Sequence, residues 1–156
     1  MKGGVMVDTK DLKEQVLFED LTEEEIKKII PIVEGKKFRK DEVIFKEKQP
    51  ANHLRMIKKG KIEISKTTPD GWKQTLAVLG NNTFFGELAL LEKREHQAVA
   101  RAVDDTEVFF IKKDNLEEFE QKEPMIMLKI YRKIAIVSGQ NVRRMNQKLM
   151  NALVSY

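Results

Sequence analysis

Residues 84–91, with the sequence Phe-Phe-Gly-Glu-Leu-Ala-Leu-Leu, have residue types that suit the binding of an anion. A glycine opens what reads as one turn of helix, and a helix N-terminus presents unpaired backbone N–H groups and the positive end of the helix dipole. Such a terminus can bind a phosphate or a similar anion. Gly86 lets the backbone approach that anion closely, and Glu87 can accept hydrogen bonds from a ligand hydroxyl.

The same residues also have a purely structural interpretation. A glycine before a helix is more often a simple turn, and a first-turn glutamate is usually a solvated residue that the dipole favours. The binding interpretation is favoured by the setting, because the segment lies between predicted β-strands, inside a helix–strand–helix arrangement.

Little else in the chain suits catalysis or metal binding. The sequence has no cysteine and only two histidines, His53 and His96, so thiolate sites are excluded and a histidine-built metal cluster is disfavoured. The sequence shows no Ser/His/Asp set and no pair of carboxylates at a spacing typical of a catalytic site. We therefore expect a protein that is not an enzyme and that needs no metal or cofactor.

The composition is typical of one ordered domain, which we predict to span residues 1–156. The chain is 41% hydrophobic and 35% charged. No apolar run approaches the ~20 residues that cross a bilayer, so no membrane contact is expected. The first ten residues lack the apolar core of a secretory signal, which makes the cytoplasm the expected compartment.

Positive charge is concentrated near the end of the chain. Residues 124–156 contain six basic and no acidic residues, whereas the whole chain has a net charge of +4. Such a segment can mark an acidic partner or a nucleic acid, or it can be the solvated side of an amphipathic helix. The second interpretation is favoured, because no DNA-reading motif accompanies the charge.

Three parts of the chain must position the glycine-containing segment. Residues 1–31 are predicted to form N-terminal helices, and residues 113–156 are predicted to form C-terminal helices. Residues 32–112 contain short runs rich in Val, Ile, Phe and Thr between turn signals, which predicts an all-β barrel, roll or sandwich. Trp72 follows a predicted Asp-Gly turn in this part and is expected to be a packing residue.

The last helix is predicted to be longer than the β unit can cover. Apolar residues recur at spacings of three or four from Ile126 to Leu153. A helix of ~28 residues is ~42 Å long. Part of its apolar stripe therefore needs another partner, and a second copy of the chain, giving a homodimer, is the simplest one.

The chain resembles the cyclic-nucleotide-binding domains in the sequence of several segments and in the order in which they occur. That family includes catabolite-activator-type regulators, protein kinase A regulatory subunits and cyclic-nucleotide-gated channels. Residues 84–91, followed by Ala98 and Val99, look like the family's phosphate-binding cassette, here residues 84–98. The other matching segments follow in the family's order: residues 17–25, 41–45 and 50–54, the Gly60 hairpin, the turn at Asp70-Gly71 and the long final helix.

The resemblance implies a mainly β fold with flanking helices. The expected core is an eight-stranded double-stranded β-helix, a jelly-roll-like β-roll, between N-terminal helices and a long C-terminal helix. It also implies that cassette N–H groups bind a cyclic phosphate and that Glu87 holds the ribose 2′-hydroxyl. The predicted ligand-binding residues are Phe85, Gly86, Glu87, Leu88, Ala89, Arg94, His96, Gln97 and Ala98.

One position departs from the family pattern. The family places Arg-Ser/Thr-Ala on the next strand, where the arginine neutralises the phosphate, and alignment on Ala98 puts His96 and Gln97 there. Arginine brings a permanent charge and a two-pronged donor, whereas a neutral histidine donates one N–H. Arg94 would point to the same face as His96 in an extended strand, so it could replace the charge. Alternatively, His96 is a surface residue in a degenerate pocket.

Two functions follow from these observations. The first is a ligand-sensing regulatory module that binds a cyclic nucleotide (cyclic AMP or cyclic GMP) or a related small anion and signals through its C-terminal helix, where Asn141 is a candidate lid residue. The alternative is a degenerate domain that acts as a protein-interaction or dimerisation module without binding nucleotide. DNA is a disfavoured partner, because the sequence ends at Tyr156 without the helix-turn-helix of the family's regulators.

Overall fold

The computed structural model describes residues 4–155, in which helices flank eight β-strands on both sides. The helices are α1 (Thr9–Glu14), α2 (Glu23–Ile29), α3 (Glu87–Leu91), α4 (Lys113–Lys122) and α5 (Pro124–Val154). The strands are β1 (Glu34–Phe38), β2 (Val43–Phe45), β3 (His53–Lys59), β4 (Ile62–Thr67), β5 (Lys73–Leu79), β6 (Phe84–Phe85), β7 (Val99–Ala102) and β8 (Thr106–Lys112). Short 3-10 turns cover Val16–Phe18 and Ile30–Ile32.

The strands form two four-stranded sheets, in the orders β1-β8-β3-β6 and β2-β7-β4-β5. Every pairing between neighbouring strands is antiparallel. The predicted eight-stranded β-roll with flanking helices is therefore confirmed. One apolar cluster, which includes Phe45, Ile57 and Phe85, fills the space between the sheets, and a second joins the first sheet to the helices.

The N-terminal helices are delimited by local sequence signals. The side chain of Thr22 accepts a hydrogen bond from the backbone N–H of Glu25, whose carboxylate accepts one from Thr22 N–H, so the pair forms a capping box. Helix α2 ends at Ile29, and Pro31 lies in the 3-10 turn that follows. This helical layer packs against the outer face of the first sheet.

Helix α5 is anchored in its first half and uncovered in its second. The side chains of Ile126, Met127, Ile130 and Ile134 are buried. The Lys133 ammonium forms ion pairs with Glu19 and, at 2.9 Å, with Asp20, which tie the helix to the N-terminal layer. None of the helices within residues 4–155 is long and apolar enough to cross a membrane.

The second half of α5 carries an uncovered apolar stripe, as its predicted length implied. Five of its apolar side chains are between 55% and 68% exposed: Val142, Met145, Leu149, Met150 and Leu153. The rest of the described chain does not cover these side chains. The pairing of this stripe with a second copy of the chain stays a prediction.

The hairpin between β4 and β5 projects from the second sheet. Trp72 lies in its turn and is 76% exposed, so the expectation that this residue packs is wrong. Leu76 and Val78 of β5 are also exposed, since β5 is the edge strand of its sheet.

Candidate functional site

A pocket of about 420 Å³ lies where α3, the loop before β7, the β4–β5 hairpin and α5 meet. All of the residues predicted to bind a ligand line it: Phe85, Gly86, Glu87, Leu88, Ala89, Arg94, His96, Gln97 and Ala98. Pockets of this size accommodate small molecules. The structure thus brings the predicted residues together, and their contact with a ligand stays a prediction.

Further lining residues come from elements that are distant in sequence. Phe45 belongs to β2, Ile64 to β4, and Leu76 and Leu79 to β5. The alternating pattern of these strands indicates a buried face, but only the pairing of the sheets shows which cavity that face adjoins. Asn141 of α5 also lines the pocket, and its role as a lid residue stays a prediction.

The backbone at Gly86 needs a glycine for two reasons. This residue is the N-cap of α3 and adopts a left-handed conformation with φ 75° and ψ 4°. A β-carbon there would also lie 3.3 Å from Cε1 of His96 and 3.4 Å from Cε2 of Phe45. No side chain in the described part of the protein caps α3, so the pocket faces a helix start without a protein cap.

His96 is buried in the pocket wall rather than exposed. Only 4% of the residue is accessible, and its ring stacks on that of Phe45, with centroids 3.6 Å apart and planes 8° from parallel. The Nε2 atom is buried and has no hydrogen-bond partner among the described residues. His96 is therefore not the surface residue that the alternative interpretation supposed.

The imidazole of His96 is neutral near pH 7. Burial, together with the positive charges of the neighbouring Arg55, Arg94 and His53, lowers its pKa to about 4. His96 can therefore donate or accept a hydrogen bond, but it brings no permanent charge to the pocket.

Arg94 lies at the pocket edge and is already partnered. Its Nε atom forms an ion pair with Glu92, and its Nη1 donates to the backbone oxygen of Glu95 at 3.2 Å. The expectation that Arg94 and His96 share a strand is wrong, because β7 begins only at Val99. Arg94 and His96 therefore lie in the loop that precedes β7, and both side chains line the pocket from that loop.

The carboxyl group of Glu87 lies in the pocket wall at the first position of α3. Burial raises its pKa, and a hydrogen bond from its own backbone N–H partly offsets that rise. A hydroxyl group that donated to this carboxylate would favour its charged form. The sugar-binding role that was expected of Glu87 stays a prediction.

A larger cleft of about 790 Å³ lies between α4, the end of α3 and Tyr131 of α5. Four of its eleven lining residues are acidic (Asp114, Glu117, Glu118 and Glu120), and Tyr131 donates a hydrogen bond to Glu120. None of the residues predicted to bind a ligand lines this cleft. Within residues 4–155, no three His, Cys, Asp or Glu side chains are grouped so that they could hold a metal ion.

A two-sheet β-roll with a pocket beside a short helix that begins at a glycine is the architecture of a class of small-molecule sensor domains. The chain matches the family described as the cyclic nucleotide-binding domain over residues 35–123, which is more than half of its length. The chain belongs to this family.

Several characterised proteins are similar to the chain. The cyclic AMP receptor protein of Thermus thermophilus is 28% identical over 115 residues, which cover 74% of this chain and 53% of that protein. The crystal structure of the Thermus thermophilus catabolite activator protein has a TM-score of 0.74 at 25% identity, covering 86% of this chain and 62% of that chain. A cyclic nucleotide-binding domain from Methylobacillus flagellatus has a TM-score of 0.83 at 18% identity, covering 91% and 84%. The chain spans about half, or less, of the length of the curated relatives that it matches.

Proposed function

We propose that this chain is a regulatory module that binds a cyclic nucleotide or a related small anion in the 420 Å³ pocket and signals through α5. The observation that carries the proposal is that three groups meet at one pocket. They are the N-terminus of α3, which no described side chain caps, the buried and unpaired Nε2 of His96, and the carboxyl group of Glu87. These groups match the parts of a nucleotide: backbone N–H groups and His96 for the anion, and Glu87 for a sugar hydroxyl.

In this proposal, Asn141 transmits ligand binding in the pocket to helix α5. This residue lines the pocket from α5, beyond the half of the helix that Ile134 and Lys133 hold against the protein. A ligand can shift a helix only if it binds one position of that helix better than another. A ligand that contacts Asn141 meets this condition, and it would bias the uncovered half of α5.

The test is isothermal titration of the 156-residue chain with cyclic AMP and cyclic GMP. At least one of them is expected to bind with a Kd below ~1 mM. The Glu87→Gln variant should bind it about tenfold more weakly, because it loses a hydrogen bond to a charged acceptor. The matched control is Glu117→Gln on the exposed face of α4, which should bind like the unchanged protein. The absence of binding at millimolar concentrations would contradict the proposal.

The alternative function, an interaction or dimerisation module without nucleotide binding, is supported by the uncovered stripe of α5. The neutral state of His96 also favours it, because the side chain brings no charge for a phosphate. Light scattering separates the two functions. The alternative would be favoured if the measured mass equalled two chains with and without cyclic AMP and if titration with cyclic AMP and cyclic GMP released no heat.

A further inference from the structure

Arg55 of β3 lies next to the pocket, although sequence analysis did not include it in the site. In the β3–β6 pair it stands directly opposite Phe85, so the two side chains share one face of the sheet. Phe85 lines the pocket, and its ring centroid is 6.1 Å from that of Phe45. The Arg55 Cζ is 5.3 Å from the centroid of the same Phe45 ring, on which His96 stacks. Arg55 and His96 thus pack around one aromatic ring of the pocket wall.

The guanidinium group of Arg55 has no acidic partner in the described part of the chain. Its hydrogen bond, from Nη2 to Nδ1 of His53 at 3.2 Å, goes to a ring nitrogen that must accept, because arginine only donates. No carboxylate in residues 4–155 forms an ion pair with Arg55, and its Nη1 is buried without a hydrogen-bond partner. Burial lowers the pKa of Arg55 to about 10, so the side chain stays charged at neutral pH. A largely buried cation of this kind requires a counter-charge.

Unpaired polar atoms are concentrated at the pocket wall and in the cleft beside it. Over the described range, four buried side-chain atoms lack a hydrogen-bond partner, and three of them belong to Glu47, Arg55 and His96. Glu47 and His96 line the same adjoining cleft. Folded proteins leave few buried groups unpaired, and ordered water, an ion or a ligand usually satisfies them. Arg55 and His96 can both donate to an anion, whereas Glu47 can accept from a ligand donor.

We infer that Arg55 supplies the fixed positive charge for the ligand's anionic group, with His96 as a neutral donor beside it. This assignment deepens the proposed function and rests on it. Arg94 is the weaker candidate, because its Nε atom is already paired with Glu92. Among the described residues, Arg55 is the one unpaired cation of this cluster, and the acidic Glu47 lines the adjoining cleft, so the favoured ligand class is a singly charged phosphodiester rather than a doubly charged phosphate monoester.

The test compares Arg55→Met, which keeps a long side chain but removes the charge, with Arg55→Lys, which keeps the charge. Titration with cyclic AMP, cyclic GMP and inorganic phosphate is expected to show at least 30-fold weaker binding of the cyclic nucleotide by Arg55→Met. Arg55→Lys should retain more of the affinity than Arg55→Met. The matched control is Arg39→Met, because Arg39 is exposed and lies outside the pocket, and its affinity should change less than threefold.

Thermal unfolding without ligand provides an independent measurement. Arg55→Met is expected to melt at the same temperature as the unchanged protein or higher, because it removes a buried cation that has no counter-charge. If Arg55→Met does not fold, Arg55→Gln provides the same comparison.

The possible outcomes separate the two proposals. Equal cyclic nucleotide affinity in Arg55→Met and in the unchanged protein would overturn the role of Arg55 and leave the proposed function standing. Tighter binding of inorganic phosphate than of both cyclic nucleotides would overturn the phosphodiester assignment. If the unchanged protein bound none of the three compounds, both proposals would fail.

Discussion

His96 shows at the scale of one residue how burial determines what a side chain can contribute. The ring stacks on that of Phe45 beside the Gly86 backbone, and its pKa falls to about 4. In the unfolded chain the same group has its ordinary pKa of 6.5. Between these two pKa values the unfolded state binds more protons, so the free energy of unfolding must decrease as the pH falls through that window.

The first prediction concerns this pH dependence. Between pH 7 and pH 4, His96 is expected to remove at most about 3 kcal/mol from the free energy of unfolding, since one pKa unit is about 1.4 kcal/mol. Urea unfolding at both pH values measures the loss, and His96→Gln should reduce it. His53→Gln is the comparison, because His53 is more exposed and its pKa is also lowered by burial. An unchanged pH dependence in His96→Gln would contradict the buried neutral ring.

At this scale the sequence predicted the local part of the site and missed the rest. The nine residues predicted to bind a ligand all lie within residues 85–98, a short segment whose glycine and glutamate are recognisable by type. Arg55 lies 30 residues before Phe85 and becomes its neighbour only through the β3–β6 pairing. No local pattern indicates that pairing, because β6 contains only two residues.

The turns and loops of the roll illustrate the element scale, because four non-glycine residues of the described chain lie in the left-handed region, among them Lys48 and Asn82. Lys48 has φ 68° and Asn82 has φ 71°. Asparagine tolerates this conformation, whereas a lysine side chain strains the backbone by roughly 1–2 kcal/mol. The Lys48 N–H also donates to the backbone oxygen of His96 at 2.9 Å, so this strained turn fixes a residue of the pocket wall.

The second prediction is that Lys48→Gly stabilises the protein by about 0.5–1 kcal/mol, since relief of strain exceeds the added entropy of the unfolded chain. Lys46→Gly is the matched control, because Lys46 lies in the same loop and has no positive φ. Glycine there should destabilise the protein. Thermal unfolding of both variants provides the measurement, and equal shifts of the same sign would argue against strain at Lys48.

The third prediction separates the two halves of α5. Ile130 is fully buried, and Ile130→Ala should lower the free energy of unfolding by 2–5 kcal/mol through a cavity. Leu149 is 59% exposed, and Leu149→Ala should change it by less than about 0.5 kcal/mol in the single chain. Denaturant unfolding at low protein concentration tests both variants. A large loss for Leu149→Ala under these conditions would mean that the stripe packs within its own chain.

Secondary-structure elements with local signals were predicted, and those fixed by tertiary contacts were not. The capping box at Thr22 and the helix start at Pro124 depend on a few adjacent residues. Strand β1 has no alternating apolar pattern, and its pairing with β8 is what defines it. Strand β7 starts at Val99 rather than at His96, because the preceding loop lines the pocket instead of extending the sheet.

For the whole molecule, the uncovered stripe of α5 has the largest consequence. Exposed apolar side chains that recur along one helix face mark an interaction surface. The first half of the helix is held by Lys133, and the apolar side chains of the second half are left exposed by the described chain, so a second copy could pack on them. A symmetric dimer of this kind would place the Asn141 residues of both chains near the shared helix pair.

The fourth prediction is that the protein forms a dimer that Met145→Glu together with Leu149→Glu converts to a monomer. A negative charge at these two positions would be buried without a partner in the dimer. Gln147→Glu is the control, because it adds charge to the same helix outside the apolar stripe and should leave the dimer intact. Light scattering measures the mass. A single-chain mass for the unchanged protein at ~100 μM would contradict the dimer.

Trp72, exposed in the turn between β4 and β5, is the sole tryptophan of the chain. Its fluorescence therefore comes from one known place, four residues before Leu76 of the pocket wall. An indole surrounded by water emits at long wavelength, and any surface that covers it moves the emission to shorter wavelength. The molecule thus contains a built-in optical probe, which would reveal the arrival of a partner or a change in the hairpin without any added label.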